Sequence, residues 1–236
     1  MSNLGDLLLA IDKPQEWTSF DAVAFLRGRL HVKRVGHSGT LDPFATGLLI
    51  IGINGATKQL DHWLTSDKTY LGTVRFGLAT DTDDRTGNTI ATGHVTALSE
   101  LEEILPQFIG EQQQLPPQYS AIKTNGKPAY ATARAGKETV LAPRSIMISE
   151  LTMLEWNAPD AVIRVRCSKG TYIRALARDL GKALNTAATL QELRREAVGN
   201  VSVDIAVSPE EAVTALKNGS SDLPFVVSMN KEMVAA

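Results

Sequence analysis

The chain has 236 residues, 43% hydrophobic and 21% charged, with a formal net charge of −2 and a single cysteine, Cys167. That length buries a sizeable core without staples, while one cysteine excludes an internal disulfide and an all-cysteine metal site and fits a reducing cytoplasm. Four scattered histidines, His31, His37, His62 and His94, make a zinc site unexpected, the apolar runs are far too short to span a bilayer, and the N-terminus lacks the basic start of a secretory signal.

In chain order, Leu7 to Ile11 reads as a buried strand ending at Asp12-Lys13-Pro14. Thr18 or Ser19 then caps a helix of roughly residues 19–30, with Phe20, Val23, Ala24 and Leu30 near helical spacing. Residues 36–47 form a glycine-rich loop with one carboxylate, Asp42, the only acidic residue between Asp21 and Asp61. Pro43 pushes Asp42 out of the helical region. Around it in sequence lie Arg27, Arg29, His31, Lys33, Arg34, His37 and Lys58. A lone carboxylate in a cationic stretch suits acid or nucleophile chemistry on an anionic polymer; a surface Asp-Pro turn is the plainer alternative.

Residues 47–53 read as a strand buried on both sides, and Lys68 to Leu78 as a strand with Tyr70, Gly72, Val74 and Phe76 on one face. Ser99 to Glu102 has the capping-box pattern and starts a helix that Pro106 kinks or ends. Residues 114–144 mix four prolines with Tyr119, Tyr130 and five basic residues, the composition of an exposed insertion with cationic and aromatic contacts. Residues 161–168 alternate, with Ala161, Ile163, Val165 and Cys167 facing inward. Thr171 caps a helix through Leu180, closed by Gly181, and Ser208 to Glu211 caps another that ends at Asn218-Gly219. The mixture predicts an α+β fold with a mixed, mainly antiparallel central sheet flanked by helices and loops.

Charge is unevenly spread. Residues 117–200 carry 13 Lys and Arg against 7 Asp and Glu, a local +6 that leaves −8 for the remainder. A basic middle on an acidic protein can still meet phosphates. Within it Arg174 falls in the first turn of its helix, where the macrodipole disfavours a cation by roughly 0.3–1 kcal/mol. A carboxylate or phosphate partner would explain it, and pairing with Asp42 would keep that carboxylate ionised. Tyr70 and Tyr172 offer faces on which an extruded base could stack. Three look-alikes fall away. Ser120 to Lys123 matches a Ser-x-x-Lys, but its companion motifs are missing. Asp81 to Gly87 resembles a calcium loop, yet puts Arg85 at a ligand position. There is no phosphate-binding Gly-x4-Gly-Lys motif.

Taken in order, these stretches resemble the TruB family of tRNA pseudouridine synthases. The resemblance runs from about Leu9 to Val203. It rests on Asp12-Lys13-Pro14, the loop Gly36 to Gly47 (with Ser38 where threonine is usual), Ala56 to Lys58, Asp67 to Tyr70, Gly77 to Asp84, Pro116 to Lys123, Gly170 to Arg174 and Leu193 to Arg195. It implies isomerisation of uridine-55 in the T loop of tRNA. The base is flipped, the bond from C1′ to N1 breaks, and C5 joins C1′, with no cofactor or metal. By the same resemblance Asp42 is the catalytic aspartate, Tyr70 stacks on the uracil and Arg174 pairs with Asp42. His37 fills the vacated space, Tyr172 and Leu193 line the pocket, and Lys13 supports the loop. Segment 114–144 grips the T arm. The expected layout is a catalytic domain over residues 1–205 with a short tail, 206–236, and no C-terminal PUA domain, acting as a cytoplasmic monomer on tRNA. A tRNA-binding or folding factor, or a synthase for another RNA, are the alternatives.

Overall fold

The structure, a computed structural model, describes residues 4–120, 122–124, 127–129, 132, 139–219 and 223–227. Tyr130 and most of the centre of the predicted 114–144 insertion lie outside the described residues. The chain forms two compact units, Met1–Tyr70 with Arg194–Ala236, and Leu71–Leu193. Residues beyond 205 complete the first unit's core.

In the first unit, strand β1 (Leu7–Lys13) runs antiparallel to β3 (Thr46–Ile53), Leu7 opposite Ile53 and Lys13 opposite Gly47. Strand β2 (Val35–His37) is also antiparallel to β3. Arg194 and Arg195 of β12 (Ala188–Val198) lie parallel to Thr46 and Gly47, and β13 (Val201–Ser202) turns back on β12. Because β1 and β3 are apolar at nearly every position, both of their faces need cover.

Helix α1 (Ser19–Leu30) covers one face. Thr18 and Asp21 form its capping box: the Thr18 hydroxyl accepts from the Asp21 N–H, and the Asp21 carboxylate accepts from the Thr18 N–H. Its buried stripe is Ala22, Val23, Leu26 and Leu30, packed on Leu9, Ile11, Leu49 and Ile51. Phe20, expected on that stripe, is 61% exposed; the 3.6-residue period carries it off the buried face. Helix α5 (Pro209–Lys217) adds Ala212, Val213 and Leu216 to the same cluster. The Ala10 N–H donates to the Phe225 carbonyl, and the Val227 N–H donates to that of Leu8. Trp63 and Leu60 of α2 (Leu60–Thr65) cover the other face with Leu8, Ala10, Leu48 and Ile50.

In the second unit β10 (Arg144–Asn157) is antiparallel to both β7 (Gly110–Gln114) and β11 (Asp160–Cys167). Ala161, Ile163, Val165 and Cys167 are buried, as the alternation predicts. Strand β4 (Lys68–Phe76) neighbours β11 and stops before Gly77, whose φ of +86° breaks the extended run. Strands β5 (Leu78–Thr80) and β6 (Thr89–Thr92) form a hairpin, and β8 (Lys123–Thr124) pairs antiparallel with β9 (Lys127–Pro128).

Helix α3 (Leu98–Ile104) starts earlier than the Ser99 pattern suggests: Glu100 accepts from the Ala97 N–H and the Thr96 hydroxyl, so the cap, Ala97, is two positions upstream. At Pro106 the chain tightens into a 3-10 turn, Leu105–Phe108. Helix α4 (Ile173–Ala183) runs through Gly181 instead of ending there. A Cβ on Gly181 would meet the Ala188 backbone nitrogen at 2.7 Å, so this glycine serves close approach, not termination. The parallel β3–β12 pairing among antiparallel ladders makes the fold α+β with a mixed, mainly antiparallel sheet. Among the described residues no helix is long and apolar enough to cross a membrane.

Candidate active site

The Asp42 loop connects β2 to β3, and long-range bonds inside the first unit hold it at almost every step. The Ser19 hydroxyl accepts from the Leu41 N–H at 2.8 Å. The Pro43 carbonyl accepts from the Glu16 N–H at 2.8 Å, and the Phe44 carbonyl from the Gln15 amide. Arg195, buried, donates from Nε to the Leu48 carbonyl at 2.7 Å and from a terminal nitrogen to that of Gly39. At the loop's exit Gly47 adopts φ +104°, and a Cβ there would meet the Arg195 carbonyl oxygen at 2.4 Å. Only glycine fits. Its N–H donates to Asp12, whose carboxylate also holds Arg194 at 2.6 Å. Asp42 sits half-buried between these clamps, with its carbonyl closing a turn onto the Ala45 N–H.

Lys13 is a second buried cation at this loop. Its Nζ donates to the carbonyls of Pro14, Trp17 and Pro43 at 2.8, 2.6 and 3.4 Å. Burial lowers its pKa to about 8, opposed chiefly by the negative charge of Asp42. Lys13 thus ties three carbonyls of the loop's surroundings and feels the negative charge of Asp42. Burial, then the neighbouring Arg195 charge, holds the His37 imidazole below its usual range, so it is neutral at pH 7. Ser38, the departure from the usual threonine, is fully buried beside it. Tyr70 is buried on the inward face of β4.

The remaining predicted residues belong to the second unit. Tyr172 is the N-cap of α4, and the Gln114 side chain grips it from both sides, accepting from its N–H at 2.9 Å and donating to its carbonyl at 3.1 Å. Arg174 follows in the first turn, 4% exposed. It donates to the carbonyls of Thr82 and Tyr119 at 3.0 Å each, and its guanidinium stands 3.6 Å from the Asp84 carboxylate. A cation there is tolerable because acceptors and a carboxylate surround it. Leu193 is buried near the end of this unit's stretch of β12.

Sequence reasoning missed Asp84 and Asp83. The first keeps one oxygen for its own turn, accepting from the Thr82 hydroxyl and from Thr86, and turns the other toward Arg174. Asp83 binds Arg178 at 2.9 Å. The acidic run 81–84, an imperfect calcium-loop pattern, is the signal that the sequence carries for them. Its carboxylates serve arginines and a turn, and no group of three potential metal ligands occurs among the described residues.

A family model described as "TruB family pseudouridylate synthase (N terminal domain)" matches residues 27–173. A protein of Parabacteroides distasonis named tRNA pseudouridine synthase B is 45% identical over 213 residues, covering 86% of this chain and 90% of that protein. One of the same name from Synechocystis sp. is 46% identical, covering 84% of this chain and 69% of its own. Among solved structures, "Crystal Structure of a Cbf5-Nop10-Gar1 Complex" aligns with a TM-score of 0.72 at 25% identity, over 93% of this chain and 58% of that one.

Proposed function

This chain belongs to the TruB family of pseudouridylate synthases, and we therefore propose that it isomerises uridine to pseudouridine in tRNA, at position 55 of the T loop. The observation that carries the reading is Asp42: one carboxylate, half-buried, on a loop clamped by Ser19, Lys13, Gln15 and Arg195. Such a mounting suits a group that must meet a ribose carbon in one geometry. The relatives' name supplies the substrate class.

The extruded uridine brings C1′ to Asp42. The C1′–N1 bond breaks, the uracil turns, C5 bonds to C1′, the C5 proton leaves and N1 gains one, so no atom is lost. Tyr70 stacks on the base and assists removal of the C5 proton. His37, neutral, fills the space that the flipped base leaves without adding charge against Lys13 and Arg195. Tyr172 and Leu193 line the nucleotide pocket, and Arg174 serves as counter-ion to Asp42. The chemistry is an isomerisation, and the chain's own side chains suffice for it.

Incubation with an unmodified tRNA transcript, followed by mapping of modified nucleotides, tests this directly. Pseudouridine at position 55 alone is the expected result. Modification elsewhere would move the substrate assignment, and none at all would refute the enzyme reading.

A further inference from the structure

We propose that the outer face of α1 is a seat for an RNA phosphodiester backbone, centred on Arg27, Gly28 and Arg29; this rests on the tRNA reading above. The buried stripe of α1 leaves two rims. On one, the Arg27 guanidinium lies over the Phe20 ring at 5.9 Å. On the other, Arg29 lies over Phe25 at 5.3 Å, and Phe25 meets Trp17 edge-on at 5.3 Å. Aromatic faces thus hold both guanidinium groups in place. Both arginines are exposed, and among the described residues neither forms an ion pair. Cations held by rings and left without carboxylates present open, fixed donors for phosphate oxygens.

Gly28 is the second, independent observation. It stands in a helix, where glycine costs about 1 kcal/mol relative to alanine. Nothing lies within 4 Å of where its Cβ would be, so packing does not require it. What the missing side chain leaves is bare backbone between two arginines, a place for another chain to approach closely. Helix geometry supplies the reach. Ser19 holds the Asp42 loop through Leu41, and Arg27 and Arg29 follow roughly 12 and 15 Å further along the axis at 1.5 Å per residue. An RNA entering at Asp42 and running along α1 meets them in turn.

The test compares full-length tRNA binding by the wild type, Arg27→Gln/Arg29→Gln, Gly28→Leu and Lys217→Glu across a salt series. Lys217→Glu changes net charge by the same two units as the double variant, at an exposed site on α5. The seat predicts about tenfold weaker binding for the double variant than for Lys217→Glu, with the salt slope reduced by about 1 per arginine. Gly28→Leu keeps both charges and favours the helix, yet should weaken binding several-fold. The proposal is overturned if the double variant binds like Lys217→Glu, or if Gly28→Leu binds like the wild type. Wild-type uridine conversion, measured in the same preparations, separates a failed seat from a failed enzyme reading.

Discussion

The two units hold their buried cations in different ways. In the first, Lys13 and Arg195 donate mainly to backbone carbonyls, and the segments they tie together are those around Asp42. In the second, Arg174 and Arg178 face carboxylates from one short acidic run, Asp84 and Asp83. Carbonyls neutralise no charge, so burial drags the Lys13 ammonium down to about 8. Arg178, half-buried, is instead held more firmly protonated, because hydrogen bonds and charge from Asp179 and Asp83 outweigh its burial. One unit therefore spends its cations on shaping a loop; the other pairs them, and a broken pair there strands a charge.

The widest separation between the two units comes from Asp42→Asn. It should reduce pseudouridine formation to background while tRNA affinity stays within a few fold, read by single-turnover conversion and by filter binding. Normal turnover in this variant would remove Asp42 from the chemistry. In the second unit, Arg178→Met takes from half-buried Asp83 its hydrogen-bonded cation and leaves only the charge of Arg174 near it, with an expected cost of about 1–2 kcal/mol in urea unfolding. Adding Asp83→Asn should recover part of that loss, and strict additivity would show that the pair does not couple. Gly47→Ala should cost about 2 kcal/mol or more, since the new Cβ strikes backbone and not a side chain that can move. An unchanged midpoint would mean that the β3–β12 contact yields easily.

Smaller effects come from pH. The folded pKa of Lys13, about 8, lies below the ordinary 10.5. Between those values the unfolded chain binds a proton that the folded chain does not, so stability rises with pH through that window. Wild type should gain on Lys13→Met as the pH is raised from 8 to 10.5, and parallel unfolding curves would contradict the buried, strained charge. His37 works the same way at lower pH. Its folded pKa is depressed, so stability is lost as the pH falls below about 6.5. His37→Asn should flatten that acid limb slightly.

Much of this was open to sequence reading because it is local. Thr18 and Ser208 head their helices through side chains only three residues from their partners. The inward alternation of β11 follows from a two-residue period. Asp42 stood out because no other acidic residue lies near it. The misses share another cause. Phe20, Ser99 and Gly181 each matched a local pattern, but Phe20 was lifted off the core by helix phase. The upstream Thr96–Glu100 cap preceded Ser99, and Ala188 crowded Gly181 from across a turn. Asp84 looked like a failed ion site because its value lies in Arg174, 90 positions along the chain.

Composition and order alone determine the α+β class, the strands buried on both faces, the helix caps at Thr18 and Ser208 and the single carboxylate of a motif-rich loop. Periodicity and short-range hydrogen bonding act between residues close in sequence. Tertiary structure alone decides what holds that carboxylate still. Arg195 reaches Gly39 and Leu48 across about 150 residues, α5 adds to the core under α1, and Gly47 admits the β12 backbone. Such contacts form only when distant segments pack, and no local preference of the chain encodes them.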